Sequence, residues 1–292
     1  MKILIFGTTG MLGHTLFNYL GQNNSDLNTF GLVRDESDFR LFTKRQAKKL
    51  ISAKFDIRHE DIRNIIEKVE PNLVLNCIGL IKQDNKSKSF IDSISINSLL
   101  PHIFSKVCDD KKIRLIHFST DCVFSGTKGN YSEKDTPDCN DVYGLTKLLG
   151  EVNNPNHLTL RTSIIGHELK KNLGLLEWFL NEKNEIKGFS NAIFSGLTTL
   201  EIAKFVKNFI IPEPNISGIY HLSSKPISKY NLLKMINDLY NVNHKITKFD
   251  EIMIDRSLNS NQLRKVTGYS PPEWDQMISE MKEWNKNYEK LL

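Results

Sequence analysis

The feature that most constrains this 292-residue chain is an alternation in its first 161 residues. Short apolar runs, Lys2–Phe6, Thr29–Val33, Leu73–Cys77, Arg114–Ser119 and His157–Arg161, are separated by stretches with helical spacing that begin near Met11, Glu60, Ile91 and Tyr143. Strands of this kind, interleaved with amphipathic helices, predict an α/β fold in which a doubly wound parallel sheet is covered by helices on both faces. Residues 1–161 are read as that unit.

Beyond Arg161 the alternation weakens. Helices are expected at Leu175–Asn181, Leu200–Phe209, Lys229–Leu239 and Pro272–Trp284, between loops carrying Pro212, Pro214, Pro226, Pro271 and Pro272. Residues 162–292 therefore read as a smaller α/β region that shapes a substrate pocket, with some segments returning to the first unit. Trp274, Met277, Met281 and Trp284, at spacings of three and four, form a packing stripe. A second Tyr/Lys pair, Tyr230 and Lys234, is read as an ordinary amphipathic helix face.

Composition narrows the partners. At 39% hydrophobic and 25% charged residues the chain can bury a substantial core, and no apolar run reaches the length of a membrane helix. The N-terminus enters a strand directly and shows no signal-peptide pattern, so a cytoplasmic protein is expected. Cys77, Cys108, Cys122 and Cys139 lack CxxC spacing and zinc-spaced histidines, and are expected to be free thiols with no metal site. A net charge of +5, with Lys and Arg scattered among acids, argues against a nucleic-acid groove but accommodates an anionic cofactor.

Gly7-Thr8-Thr9-Gly10-Met11-Leu12-Gly13 follows the first strand and opens a helix. Glycines there permit a tight turn and close approach to a pyrophosphate, while the helix N-terminus offers N–H groups to it. This predicts a dinucleotide site of Rossmann type at Gly7, Gly10, Met11 and Leu12. The second strand ends in Arg34 and Asp35; Arg34 suits a 2′-phosphate, which favours NADPH, while Asp35 leaves NADH open. Asp56 and Ile57 are expected to frame the adenine, an ordinary helix cap being the other reading of Asp56. Ile78 and Gly79, after the run Leu73–Cys77, complete the expected cofactor contacts.

Tyr143 and Lys147 lie four residues apart on one helix face, so a cation can stabilise a developing phenolate. A free tyrosine with a pKa near 10 must be moved down to act near neutrality, and Lys147 is expected to do this. Upstream, the strand through Leu115 ends in Ser119, Thr120 and Asp121 at the carboxyl edge of the sheet, where α/β folds place ligands. This order of strand, hydroxyl, Tyr and Lys, behind the glycine motif, resembles the extended short-chain dehydrogenase/reductase family.

The segments Phe118–Gly126, Tyr131–Glu133, Tyr143–Glu151 and Leu160–Ser163 are more closely similar to the dTDP-4-dehydrorhamnose reductases and their sugar-nucleotide relatives. Gly196–Thr199, Gly218–Leu222 and Arg256–Ser260 follow in the same order, so the resemblance spans nearly the whole chain. It implies Tyr143 as proton donor, Lys147 as its partner and holder of the nicotinamide ribose, and Thr120 as hydrogen-bond donor to the substrate carbonyl. Ser119 is the alternative hydroxyl, and either hydroxyl can instead merely cap the loop. Asp121 and Val123 join Thr120 and Tyr143 as expected substrate contacts. Asn97 resembles a helix-kinking or water-relay asparagine, with a buried amide bonded to backbone as the other reading.

The resemblance implies NADPH-dependent reduction of the C4 ketone of a nucleotide-linked 4-keto-6-deoxyhexose, for surface polysaccharide precursors. Ile164 and Cys122 stand where relatives commonly carry aromatic residues, which leaves a UDP-linked 2-acetamido-2,6-dideoxy-4-hexulose as an alternative substrate. A sugar-nucleotide epimerase or dehydratase, and a non-catalytic dinucleotide-binding subunit, are the other readings. The expected partner is a nucleotide sugar, with a homodimer left open.

Overall fold

The computed structural model describes residues 1–22, 26–53, 59–82, 89–170 and 173–291. Its strands are β1 (Lys2–Phe6), β2 (Asn28–Val33), β3 (Leu50–Ser52), β4 (Leu73–Asn76), β5 (Arg114–Thr120), β6 (Leu158–Thr162), β7 (Ile164–Ile165), β8 (Ile186–Phe189), β9 (Ala192–Phe194), β10 (Leu197–Thr198), β11 (Gly218–His221), β12 (Ile227–Ser228), β13 (Ile246–Phe249) and β14 (Ile254–Asp255). Seven of them form one sheet in the order β11-β6-β5-β4-β1-β2-β3, and every pairing in it is parallel. The chain order reverses between β1 and β4, so ligands are expected at the carboxyl ends there. The fold is the doubly wound Rossmann-type α/β fold that the alternation predicts.

Helices α1 (Met11–Leu20), α2 (Lys44–Ala47), α3 (His59–Val69), α4 (Phe90–Ser93), α5 (Leu100–Lys111) and α6 (Val142–Leu149) connect the first six strands. They are followed by α7 (Leu175–Asn181), α8 (Thr199–Phe205), α9 (Lys229–Tyr240), α10 (Asn261–Thr267) and α11 (Trp274–Glu289). Successive side chains of a strand point to opposite faces, and β1 shows the result. Ile3 and Ile5 join a core with Leu16 and Phe17 of α1, Phe205 of α8 and Met277 of α11. Leu4 and Phe6 join a second core with Ile62 and Ile66 of α3 and Phe104 of α5, and the Phe6 and Phe104 rings meet edge-on at 4.5 Å.

The later segments divide. β11 pairs with β6 and extends the large sheet, while β7/β10, β8/β13 and β12-β9-β14 form three small separate sheets among the described residues. β14 and the residues after it pack on the loop that follows β5: Asp255 N–H donates to the Gly126 carbonyl at 2.8 Å and Asn259 N–H to the Tyr131 carbonyl at 2.7 Å. Trp274, Met277 and Met281 are buried and Trp284 lies against Tyr19, as a packing stripe requires. The Lys234 ammonium lies over the Tyr230 ring in α9. No helix among the described residues is long and apolar enough to cross a membrane.

Candidate active site

The turn after β1 is shaped by close backbone approaches. Gly7 has φ +81°, and a Cβ on it would stand 2.8 Å from the Cys77 backbone after β4. A Cβ on Gly13 would overlap the Gly7 carbonyl oxygen, so only glycine lets α1 pack this tightly on the turn. Gly10 caps α1 with extended backbone, no side chain caps the helix, and its first turn carries no acid. The helix start therefore presents an uncompensated positive end, and the cradle fits a dinucleotide pyrophosphate. Met11 is partly exposed and touches the loop at Gly174, whereas the Leu12 side chain is buried in the core and could meet a ligand only through its backbone.

Arg34, at the end of β2, is exposed, and its side chain makes no hydrogen bond or ion pair among the described residues. Asp35 is committed elsewhere: its carboxylate accepts from Ser37 N–H at 2.9 Å and caps the short helix Glu36–Leu41. Asp56 and Ile57 lie outside the described residues. Ile78 is half-buried, with its N–H donating to Asn76 Oδ1 at 3.0 Å, and Gly79 is exposed beside it.

Asn97 holds this loop. Its Oδ1 accepts from Leu80 N–H at 2.9 Å, and its Nδ2 donates to the Leu80 carbonyl at 3.1 Å and the Thr146 hydroxyl at 3.3 Å. It sits in a π-helical stretch, Ile94–Leu99, between α4 and α5. The local cause is Pro101, which lies four residues on and has no N–H for the Asn97 carbonyl. Both sequence readings of Asn97 meet here: a distorted helix and a buried amide bonded to backbone.

β5 and α6 bring Thr120 and Tyr143 together. Asp141 caps α6 by accepting from Gly144 N–H at 2.9 Å, and Gly144 has no Cβ to collide with the Cys122 carbonyl. Thr120 is buried; its hydroxyl donates to Asp121 Oδ1 at 3.1 Å, accepts from Cys122 N–H at 3.2 Å, and sits within hydrogen-bonding influence of the phenol. Ser119 points to the opposite face of the strand and donates to Glu151 at 2.7 Å, which removes it as the alternative hydroxyl.

The electrostatics differ from expectation. Burial pushes the Tyr143 phenol above its ordinary value, with Cys122, Asp121 and Asp141 adding to the rise and Thr120 opposing it. Among the described residues the Lys147 ammonium donates to the Phe118 carbonyl, at 2.7 Å. Burial pulls Lys147 itself down to about 8, against the raising influence of Glu151 and Cys77. The Lys82 ammonium lies 5.7 Å from the Tyr143 ring centroid and pairs with Asp141 at 2.7 Å.

Val123 needs correction as a substrate contact, because it exposes no surface and packs with Phe124, Tyr131 and Leu258. Asp121 is 8% exposed and placed beside Thr120, and Cys122 and Ile164 are each partly exposed. The four cysteines are free thiols. A group that sequence reasoning missed lies behind Lys147: Glu151 binds Arg161 through two bonds of 2.8 and 2.7 Å, and Arg161 reaches His221 at 3.3 Å. These residues are on β6, on β11 and just past α6, so no local period marks them; the only signal is their place in the quoted segments.

A cleft of about 930 Å³ lies elsewhere, near the amino end of β2, lined by Phe17, Asn18, Thr29, Arg45, Trp284 and Tyr288 among others. None of Thr120, Tyr143 and Lys147 lines it, so the chemistry of the side chains, not cavity size, locates the candidate site.

Fold and site together define a class: a Rossmann-type α/β protein with a glycine-rich cradle after its first strand and a Thr, Tyr and Lys set at the carboxyl end of β5. Within it, the chain belongs to the RmlD substrate binding domain family, whose pattern matches residues 1–285. Over 111 residues it is 35% identical to the probable low-salt glycan biosynthesis reductase Agl14 of Haloferax volcanii, a match spanning 36% of this chain and 37% of that protein. It is 25% identical over 256 residues to methionine adenosyltransferase 2 subunit beta of Danio rerio, covering 82% of this chain and 74% of the relative. The fold is shared with the dTDP-4-dehydrorhamnose reductase of Bacillus anthracis in complex with NADP, at a TM-score of 0.77, 18% identity and coverage of 97% and 98% of the two chains.

Proposed function

We propose that this chain is a reductase that uses a nicotinamide dinucleotide, preferentially NADPH, to reduce the C4 ketone of a nucleotide-linked 4-keto-6-deoxyhexose. The observation that carries the reading is the meeting of Thr120 and Tyr143 at the carboxyl end of β5, with Lys147 buried beneath them on the same helix as the phenol. Gly7, Gly10 and the first turn of α1 would hold the pyrophosphate, Arg34 the 2′-phosphate, and Lys147 the nicotinamide ribose. The bound dinucleotide supplies the hydride. The resemblance to Agl14 and to an NADP-bound reductase supports this assignment.

The chain's own residues then handle the proton. A phenol raised above its usual value stays protonated near neutrality, which is the form a proton donor must start from. Tyr143 gives its proton to the C4 oxygen as charge develops there. Thr120 turns its hydroxyl from Asp121 to the same oxygen, so two donors meet the developing alkoxide. Lys147 is charged over most of the neutral range and offsets the phenolate that results. We assign residues 1–161 with β11 to the dinucleotide side and the small sheets built from β8, β9 and β12–β14 to the sugar-nucleotide side.

A second reading, a dinucleotide-binding subunit without turnover, draws on the likeness to methionine adenosyltransferase 2 subunit beta over 82% of the chain. The set Thr120, Tyr143 and Lys147 supports the enzyme. Screening dTDP- and UDP-linked 4-keto-6-deoxy sugars for NADPH oxidation tests the choice. Oxidation with one nucleotide series fixes the substrate class; bound NAD with no net oxidation points to an epimerase or dehydratase, and no turnover with a tight partner enzyme to the subunit.

A further inference from the structure

Lys82 lies on the segment that follows β4, and the structure gives that segment a firm support. Two residues earlier, Leu80 is buried and bonded to Asn97 through both its N–H and its carbonyl. Asn97 also donates to the Thr146 hydroxyl on α6, so segment and helix share one anchor. From there the Lys82 ammonium reaches Asp141 Oδ2 at 2.7 Å and lies 5.7 Å from the centroid of the Tyr143 ring. The other oxygen of the same carboxylate, Oδ1, caps α6 by accepting from Gly144 N–H at 2.9 Å. One carboxylate therefore joins the ammonium to the first turn of α6, the turn that carries Tyr143. The two charged side chains are 39% and 37% exposed, and an ion pair so open to water adds little to folding. Its place beside the phenol gives it another use.

We propose that Lys82 is a positioning residue for the proton donor: seated on Asp141 and over the Tyr143 ring, it fixes the first turn of α6 and the direction in which the phenol points. This rests on the reading of Tyr143 as the group that protonates the C4 oxygen. A partly exposed ring can turn about its side-chain torsions unless a neighbour holds it. Misplacing a reacting group by about 1 Å can slow a reaction about 10²-fold, so a modest loss of aim is visible in turnover. An ammonium near a ring is attracted to its π-electrons, and the attraction grows as the ring gains phenolate charge. The same pairing keeps the Asp141 carboxylate from standing uncompensated beside that charge.

The test is steady-state kinetics with NADPH and either dTDP-4-dehydrorhamnose or the UDP-linked 2-acetamido-2,6-dideoxy-4-hexulose, whichever the wild type reduces, with circular dichroism as the check on folding. Lys82→Met is expected to lower turnover about tenfold and leave the Michaelis constants for NADPH and sugar nucleotide within about twofold of wild type. Lys82→Arg keeps the charge and the pair, and should restore turnover to within about threefold of wild type. In the Tyr143→Phe background no phenol remains to be aimed, so adding Lys82→Met should cost less than about twofold, read as single turnover at high enzyme concentration. A tie that served the fold alone would cost the same in both backgrounds. The proposal is overturned if Lys82→Met turns over like wild type, if its loss is equal with and without the phenol, if arginine fails to restore turnover, or if only the Michaelis constant for the sugar nucleotide rises. Wild type that oxidises NADPH with neither sugar, or Tyr143→Phe with full turnover, overturns the functional reading beneath the proposal.

Discussion

The Lys147 ammonium donates to the Phe118 carbonyl at 2.7 Å, which ties the helix of the candidate acid to the strand that ends at Thr120. An ammonium has three N–H donors, so two remain for ligand and phenol. Lys147→Met removes both the tie and the charge. We expect turnover to fall by about two to three orders of magnitude and the Michaelis constant for NADPH to rise, measured by steady-state kinetics beside a circular dichroism spectrum. A variant with wild-type constants would remove Lys147 from the mechanism.

Tyr143→Phe and Thr120→Val separate proton donation from oxygen binding. The phenylalanine variant loses the proton source and should lose about 10²- to 10⁴-fold in turnover while NADPH binding stays within about twofold. The valine variant loses one donor to the developing alkoxide and the cap on Cys122 N–H, so a loss of about 10²-fold is expected, with a lower melting temperature. Turnover that survives in Tyr143→Phe would assign the proton to another group.

The large sheet was readable because β1 and β4 carry consecutive apolar residues, Ile3–Phe6 and Leu73–Leu75, and β1 occupies the predicted Lys2–Phe6. β3 escaped notice: at three residues, Leu50–Ser52, it offers no run to detect. The two- and three-residue strands β7, β9, β10, β12 and β14 escaped for the same reason. The helix expected at Leu200–Phe209 is α8 followed by a π-helical stretch at Val206–Ile210, and the last helix starts at Trp274, past the proline pair. At the site, hydroxyl, phenol and lysine were legible from their order. The direction of the lysine was not, because it depends on the Phe118 carbonyl and Glu151, which tertiary packing alone brings near.

Arg34 stands exposed at the end of β2 with no partner among the described residues, while Asp35 is occupied by its cap. No described residue competes for the guanidinium, so Arg34→Ala should raise the Michaelis constant for NADPH about tenfold or more and leave that for NADH within about twofold. Equal effects on both coenzymes would show that Arg34 does not meet a 2′-phosphate.

Two glycines separate backbone strain from crowding. Gly268 has φ +69° with nothing within 4 Å of an added Cβ, so Gly268→Ala should cost only about 1–2 kcal/mol, the price of a left-handed alanine. Gly13 instead faces the Gly7 carbonyl, a fixed backbone atom. Gly13→Ala must displace α1 or the turn, and should cost about 3 kcal/mol or more and abolish dinucleotide binding. Urea unfolding of the two variants checks the order, and equal losses would refute the crowding argument.

Acid stability follows from three buried histidines, His14, His117 and His221, and burial holds His117 well below its ordinary value. Burial lowers His14 to about 4, assisted by His167, and lowers His221 to about 4, assisted by Arg161. In the unfolded chain each takes up a proton below about 6.5, whereas the native protein resists until about 4, so the unfolded state binds more protons in between. Their contribution is therefore fully present above about pH 6.5 and is lost as pH falls toward 4, at up to about 1.4 kcal/mol per pH unit for each. Urea midpoints at about pH 7 and about pH 5 measure the slope. His14→Gln, which keeps a side-chain donor near the Gly10 carbonyl but cannot titrate, should reduce that slope by about a third. An undiminished slope would mean that His14 is already protonated in the native protein, and its burial would then need a counter-charge that its bond to Gly10 does not supply.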